Sequence, residues 1–141
     1  MKPTLRPFRL ADYSAVFVLW QASEGVGLSE ADSREGIRDF LRRNRGLSFV
    51  AEAGGQIVGS VLAGHDGRRG FLYHLAVAKA WQRCGLGRKL VSVALDQLKA
   101  RGIPKCHIVV FAKNTAAQKF WRRIGWLDRT DLRIMSKNLL P

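Results

Sequence analysis

Phe71-Leu72-Tyr73-His74-Leu75-Ala76-Val77, a short spacer, then Gln82-Arg83-Cys84-Gly85-Leu86-Gly87-Arg88 is the stretch on which the fold turns. The first part is apolar and aromatic and reads as a strand. The second carries two glycines and opens a helix over Gly85 to Arg101, where Leu86, Leu90, Val93, Ala94, Gln97 and Leu98 follow the 3.6 period. Gly102 ends that helix. Lys105 to Phe111, rich in β-branched residues, reads as a second strand. A strand, a helix and another strand in this order place the two strands parallel, joined by a right-handed crossover. A helix N-terminus leaves unpaired N–H groups beside the positive end of its dipole, which is an anion site. Gly85 and Gly87 allow a ligand to approach the backbone, and Arg83 and Arg88 add charge suited to phosphate oxygens. The spacing is neither the dinucleotide G-x-G-x-x-G nor a P-loop. A phosphate-bearing ligand and a plain structural turn both remain open on these residues alone.

Working outward, Leu5 to Leu10 reads as a first strand, put at a sheet edge by Pro7. Asp12 is placed to cap a helix to about Ser23, with Val16, Leu19 and Trp20 at core spacing. Ser29 to Arg34 supplies caps for a second helix, on which Ile37, Phe40 and Leu41 share a face and Arg42, Arg43 and Arg45 favour the C-terminal end. Leu47 to Ala53 and Gln56 to Ala63 flank Gly54-Gly55, a primed hairpin turn. With Phe71 to Val77 they make an antiparallel meander of three. Asn114 caps a fourth helix with Ala117, Phe120, Trp121 and Ile124 as its stripe, ending at Gly125. Trp126 to Leu140 has room for two short strands. The class is α+β, and with no linker or repeat the 141 residues read as one domain, 1–141.

The composition, 47% apolar and 25% charged, is that of an ordinary globular chain. Two cysteines give no disulfide framework. The basic N-terminal stretch lacks the apolar segment of a signal peptide, and the longest apolar run, Ala15 to Trp20, is far below the ~20 residues of a membrane span. A cytoplasmic protein is expected. The charge stands out: 24 Lys+Arg against 11 Asp+Glu, formally +13. Such a field attracts a phosphorylated cofactor, nucleic acid or an acidic protein surface, or merely keeps the chain soluble.

At this point the sequence resembles a known family. Gln82-Arg83-Cys84-Gly85-Leu86-Gly87 is similar to the Q/R-x-x-G-x-G/A signature of the GNAT acetyltransferases. Leu75-Ala76-Val77 resembles their fourth strand, and Asn114 with Phe120-Trp121-Arg122-Arg123-Ile124-Gly125-Trp126 resembles their later helix. The likeness follows element order along the whole chain, is closest from about Gly64 to Trp126, and points towards the RimI-like branch. It implies a mixed, mostly antiparallel sheet flanked by helices, with the fourth and fifth strands parallel and splayed. It also implies an N-acetyltransferase that moves the acetyl group of acetyl-CoA directly to a primary amine, on a protein N-terminus, a lysine or a small molecule. Leu75, Ala76 and Val77 would bind the pantetheine arm, Gln82, Arg83, Cys84, Gly85, Leu86, Gly87 and Arg88 the pyrophosphate, and Asn114 would hydrogen-bond the cofactor. No metal is implied. The family's dimers make a homodimer an open expectation, and GNAT-fold toxins make aminoacyl-tRNA a second acceptor class.

The pattern breaks at the proton-handling positions. The RimI-like branch uses a glutamate on the fifth strand and a tyrosine on the next helix, and here those positions hold Val109 and Trp121. A non-catalytic acyl-CoA sensor is therefore a third reading. Among replacements, Tyr73 is placed by alternation on one face with Leu75 and Val77 as proton relay or acid, with a satisfied core aromatic as its alternative. His107 shares a face with Val109 and is a candidate base, or a partly exposed strand residue. His74 is expected on the face opposite Tyr73, under a helix, and His65 in solvent. Glu24, after the first helix, is the candidate for binding the acceptor amine or else a solvated loop carboxylate, and Glu52 is the remaining acidic candidate. Cys84 reads as a loop filler rather than a nucleophile.

Overall fold

In the computed structural model, which describes residues 2–141, five strands form one sheet in the order β1-β2-β3-β4-β5. The strands are β1 (Thr4–Pro7), β2 (Phe49–Ala53), β3 (Gln56–His65), β4 (Gly70–Val77) and β5 (Cys106–His107). The first three neighbour pairs are antiparallel, and β4 and β5 are parallel. Helices α1 (Tyr13–Gln21) and α2 (Arg34–Arg43) precede β2, and α3 (Leu86–Ala100) connects β4 to β5. The sheet class and the β4–α3–β5 unit match the sequence reading. Gly54 and Gly55 take φ of 57° and 78°, as a primed turn requires, and join β2 to β3 through the Ala53–Gln56 pair.

The two faces of the sheet can be told apart at adjacent β3 residues. Ser60 accepts a hydrogen bond from the Trp20 indole of α1 at 3.1 Å. Its neighbour Gly59 faces the other way, where an added Cβ would lie 2.9 Å from Leu90 of α3. Since side chains alternate along a strand, α1 and α2 cover one face and α3 the other. On the first face Phe8, Val16, Leu19, Trp20, Ile37, Val50, Leu62 and Ala76 form a buried cluster. Each such side chain contributes roughly 1.5–3 kcal/mol on full burial. Leu86, Leu90, Val91, Ala94 and Leu98 make the buried stripe of α3.

Four expectations need correction. The first strand ends at Pro7, because Leu10–Asp12 closes into a 3₁₀ turn. Asp12 does not cap α1 with its side chain. Its carboxylate accepts both terminal nitrogens of Arg6, at 2.8 and 2.9 Å, and the Arg9 N–H at 2.9 Å. The fifth strand is two residues long instead of seven, for a reason that lies in β4 and is taken up below. Trp126 to Leu140 forms no strand: residues 127–141 are exposed, with Met135 at 92%. The chain divides into a unit ending at Phe111 and a unit from Ala112 to Pro141. The second unit holds α4 (Thr115–Arg123) and no strand against which the tail could pair, and an isolated strand has no ladder to stabilise it.

Arg6 also binds Glu52 at 2.8 Å, so one guanidinium ties β1 to β2 and to the turn before α1. The hydrogen bonds from Arg6 hold the Asp12 carboxyl below the ordinary carboxylate value. A lowered carboxylate pKa contributes stability that is present at neutral pH and is lost as pH falls through the folded-state value. Asp12→Asn is expected to cost about 1–3 kcal/mol at pH 7, since it removes a charge-assisted, mostly buried pair. Urea unfolding of both proteins checks this, and the gap should close below about pH 4.

Candidate active site

The site is built where β4 leaves β5. The two strands pair only at Gly70–Cys106 and Phe71–His107, although β4 runs on to Val77. The cause is a bulge in β4. Leu62 of β3 pairs with Tyr73 and Ser60 pairs with Ala76, so one β3 residue opposes two on β4. His74 occupies the bulge with φ of 52°, a left-handed conformation costly outside glycine. The kink turns the end of β4 away from its parallel neighbour. Ala78 N–H bonds back to Val58 of β3, so by alternation the polar groups of Ala76 also face β3. Those of Leu75 and Val77 face the opened edge. The Val77 carbonyl accepts the Gln82 side chain there, at 3.0 Å.

The loop that follows is shaped by two left-handed residues, Arg83 at φ 63° and Gly85 at φ 83°. The Cys84 thiol donates to the Trp81 carbonyl at 2.7 Å, which fixes the loop from within. Helix α3 begins at Leu86 with Gly85 as an N-cap that offers no side chain. Among the described residues, the main-chain N–H groups of Leu86, Gly87 and Arg88 donate to no carbonyl, and the first such bond in α3 is Lys89 to Gly85. A Cβ at Gly85 would meet no protein atom within 4 Å, so the space before these amides is open. Arg83 and Arg88 are exposed beside it and take part in no ion pair among the described residues. Free amides, a positive dipole end and two guanidinium groups fit a pyrophosphate.

The bulge also corrects the placing of Tyr73. Tyr73 pairs with Leu62 and its ring meets Phe40 of α2 at 6.1 Å, which puts it on the α1/α2 face. Val77 pairs with Gly59 on the α3 face, so Tyr73 does not share a face with Leu75 and Val77. His74 lies on the same side as Tyr73, not opposite it, and does pack under α1, with its ring 4.9 Å from Trp20. His74 Nε2 is 2.7 Å from the Asp32 carboxylate, which also accepts the Ser29 N–H at 3.0 Å. This mostly buried pair links the segment between α1 and α2 to the bulge. Sequence reasoning missed it because the partners are 42 residues apart, and only the cap position of Asp32 gives any local signal.

Tyr73 is 40% exposed, and its hydroxyl has no hydrogen-bond partner among the described residues. Partial burial raises its pKa above the ordinary phenol value, with the neighbouring Cys106 adding to the shift. Phe71 stacks on Tyr73 at 6.0 Å and meets His107 at 5.6 Å, so the two candidate proton carriers flank one phenyl ring. Burial pushes the Cys106 thiol up to about 11, so it is no thiolate at neutral pH. Val109 is exposed beyond the end of β5, as is Phe111, whose ring lies against Gly27. Glu24 is exposed in the turn after α1, and Glu52 is committed to Arg6. The His65 ring is half-buried rather than solvated, and its Nδ1 accepts the Gly67 N–H. In the second unit, Asn114 caps α4 by accepting the Ala117 N–H at 3.0 Å, and Trp121 packs against Phe120 and Trp126.

Parallel strands that part beside a helix N-terminus with free amides make a site for a phosphate-bearing ligand with an extended arm. The sequence model of the acetyltransferase (GNAT) family matches residues 13–126. A similar chain is Acetyltransferase ECA0875 of Pectobacterium atrosepticum, 33% identical over 96% of this chain and 95% of that one. The fold is that of the PaiA N-acetyltransferase of Thermoplasma acidophilum in complex with coenzyme A, at a TM-score of 0.77 and 18% identity over 89% of each chain. It is also that of the ribosomal-protein-S18-alanine N-acetyltransferase of Escherichia coli, at 0.73 and 23% identity over 91% of this chain and 79% of that one. The chain belongs to the acetyltransferase (GNAT) family, and acetyl-CoA is its acetyl donor.

Proposed function

We propose that the protein transfers the acetyl group directly to a primary amine that approaches from the α1/α2 face, where Tyr73 and His107 flank Phe71. The observation that carries this reading is the parting of β4 from β5 after the Phe71–His107 pair, two residues before Tyr73. Acetyl-CoA supplies the activated thioester; binding, orientation and proton handling fall to this chain. The N–H groups of Leu86, Gly87 and Arg88, with Arg83, hold the pyrophosphate. Leu75 and Val77 pair with the pantetheine arm as a further strand would, and a main-chain N–H on that edge aims at the thioester carbonyl, where charge develops. Gln82 and Cys84 act by holding the loop. Asn114 is carried as a cofactor contact on the family resemblance alone.

The new bond joins the amine nitrogen to the acetyl carbon, the carbon–sulfur bond breaks, and the amine proton leaves as the sulfur gains one. Tyr73, kept protonated by its raised pKa, is suited to supply that proton. His107 is the candidate to take the amine's proton, and Glu24 draws the acceptor's ammonium to the turn after α1. The acceptor class stays open between a protein amine and a small molecule. A panel of peptides, polyamines and amino sugars with radiolabelled acetyl-CoA tests the reading; binding without transfer to any of them would favour the sensor alternative.

Direct transfer makes a specific statement about Cys84. Its thiol is spent on the Trp81 carbonyl, so Cys84→Ala is expected to keep turnover within about threefold, the loss being one hydrogen bond of about 1 kcal/mol in the loop. Abolished turnover, with acetyl label trapped on the parent protein, would instead mark an acyl-enzyme.

A further inference from the structure

Not all of the positive charge gathers at the glycine loop. At the other end of α3, about 22 Å away by its 15 residues, a cleft of about 260 Å³ is lined by Arg42, Arg43, Arg45 and Arg101 with Asn44 and His65. Among the described residues, no carboxylate lines it. The ion pairs among the described residues engage Arg6, Arg38, His74, Arg122 and Arg129, and none of these four arginines. Arg42 and Arg43 end α2, and Arg101 ends α3, so part of the arrangement follows from favourable helix-dipole positions. That accounts for too little. Two C-terminal dipole ends, each worth about half an elementary charge, offset about one of the four positive charges. Arg45 lies beyond the helix and gains nothing from this effect.

The floor of the cleft is ordered. Asn44 is buried, and its side chain donates to Phe40 and accepts the His65 N–H at 3.2 Å each. His65 Nδ1 accepts the Gly67 N–H at 3.0 Å, which leaves Nε2 to carry the proton of the neutral ring. Nε2 is thus a donor, like every guanidinium around it. The charged side chains of the lining are all arginine, with no lysine, and planar guanidinium forks match phosphate oxygens in pairs. The volume is below that of a site for a whole drug-sized ligand, so it suits one compact, highly charged group.

We propose that this cleft is a second anion site, distinct from the loop before α3, that takes a small ligand carrying a diphosphate or triphosphate group. Several charges concentrated in one small group match four arginines that line one small cleft. An acidic peptide spreads single charges along its length and matches them less well.

Calorimetric titration of the full chain with sodium tripolyphosphate, at about 0.15 M salt and with coenzyme A in excess to occupy the loop, tests the proposal. Saturable binding is expected, weakened at least tenfold in Arg43→Gln/Arg101→Gln and unchanged in Arg83→Gln/Arg88→Gln. Arg45→Gln, outside both helices, should weaken it several-fold without altering thermal unfolding, so a folding defect in the double variant would not confuse the result. A parallel titration with ADP separates the sources: equal affinity means the phosphates alone are read, and tighter binding means a nucleotide. Binding lost with Arg83 and Arg88 but kept without Arg43 and Arg101 overturns the proposal. So does the absence of saturable tripolyphosphate binding, and with it Arg43- and Arg101-dependent binding of a 12-nucleotide RNA would assign the cleft to a nucleic-acid surface.

Discussion

Gly85→Val is expected to weaken acetyl-CoA binding by two to three orders of magnitude while leaving the fold in place. Gly85 takes φ of 83° at the N-cap of α3, and a β-branched residue there costs at least 1–2 kcal/mol in strain. No protein atom lies within 4 Å of the added Cβ, so the core is not disturbed. What the side chain meets instead is the space before the free amides of Leu86, Gly87 and Arg88. Relieving the strain turns those amides, and blocking the space costs their charge-assisted hydrogen bonds, worth about 1.5–3 kcal/mol each. Two such bonds, taken near the low end of that range because the ligand's other contacts remain, make a loss of roughly 3–4 kcal/mol, or about 100- to 1000-fold in affinity. Calorimetry with acetyl-CoA measures the loss, and circular dichroism checks the helix. Undiminished affinity in a folded variant would remove the pyrophosphate from this loop and take the proposed donor site with it.

The contrast between that loop and its surroundings explains what could be read in advance. A helix start and its row of unsatisfied amides are local consequences of consecutive residues, so the helix opening after Gly85 was legible in Gln82 to Arg88, while the choice between a ligand site and a plain turn was not. The hairpin at Gly54-Gly55 was legible for the same reason. The bulge at His74 was not. Strand alternation is a sound rule until one residue is inserted against the partner strand, and nothing between Phe71 and Val77 announces which residue that is. One slip moved Tyr73 to the opposite face from the one alternation gives and shortened β5 to two residues, because the ladder with β4 ends where the kink begins. The Asp32–His74 pair and the Arg6–Asp12–Glu52 cluster were hidden for a related reason. Each is a contact between elements that only the assembled sheet brings together.

The charge reads differently once the partners are known. Among the described residues, seven carboxylates are held by Arg6, Arg38, His74, Arg122 or Arg129. The excess therefore lies where no acid balances it, and two such places are the loop before α3 and the cleft at its far end. One helix thus carries an anion-attracting surface at each terminus. At the first, the positive dipole end adds to the arginines' attraction for an anion, and at the second the negative end, which stabilises the arginines, subtracts from it. A site of the second kind depends on guanidinium groups alone, which makes it the more sensitive of the two to salt.

Tyr73→Phe is expected to lower kcat about 100-fold, with the KM for acetyl-CoA within threefold of the parent and thermal unfolding nearly unchanged. The hydroxyl has no hydrogen-bond partner among the described residues, so its removal breaks nothing in the fold. The phenyl ring keeps its stacking on Phe71 and its edge contact with Phe40. What is lost is a positioned proton, and general acids contribute typically 10²–10⁴-fold. The pH profile gives the sharper measurement. An acid must be protonated to act, so its contribution fails as pH rises through its own pKa. Burial has moved that value above the ordinary phenol range near 10, so Tyr73 should impose no alkaline limb on kcat below about pH 10. Any limb at lower pH then belongs to another group and should survive in Tyr73→Phe. A variant that turns over at the parent rate would show that the leaving sulfur takes its proton from solvent, leaving Tyr73 as an aromatic wall of the acceptor cleft. A variant that loses binding as well as turnover would point instead to a role in shaping the parted strands, since only proton supply separates kcat from KM.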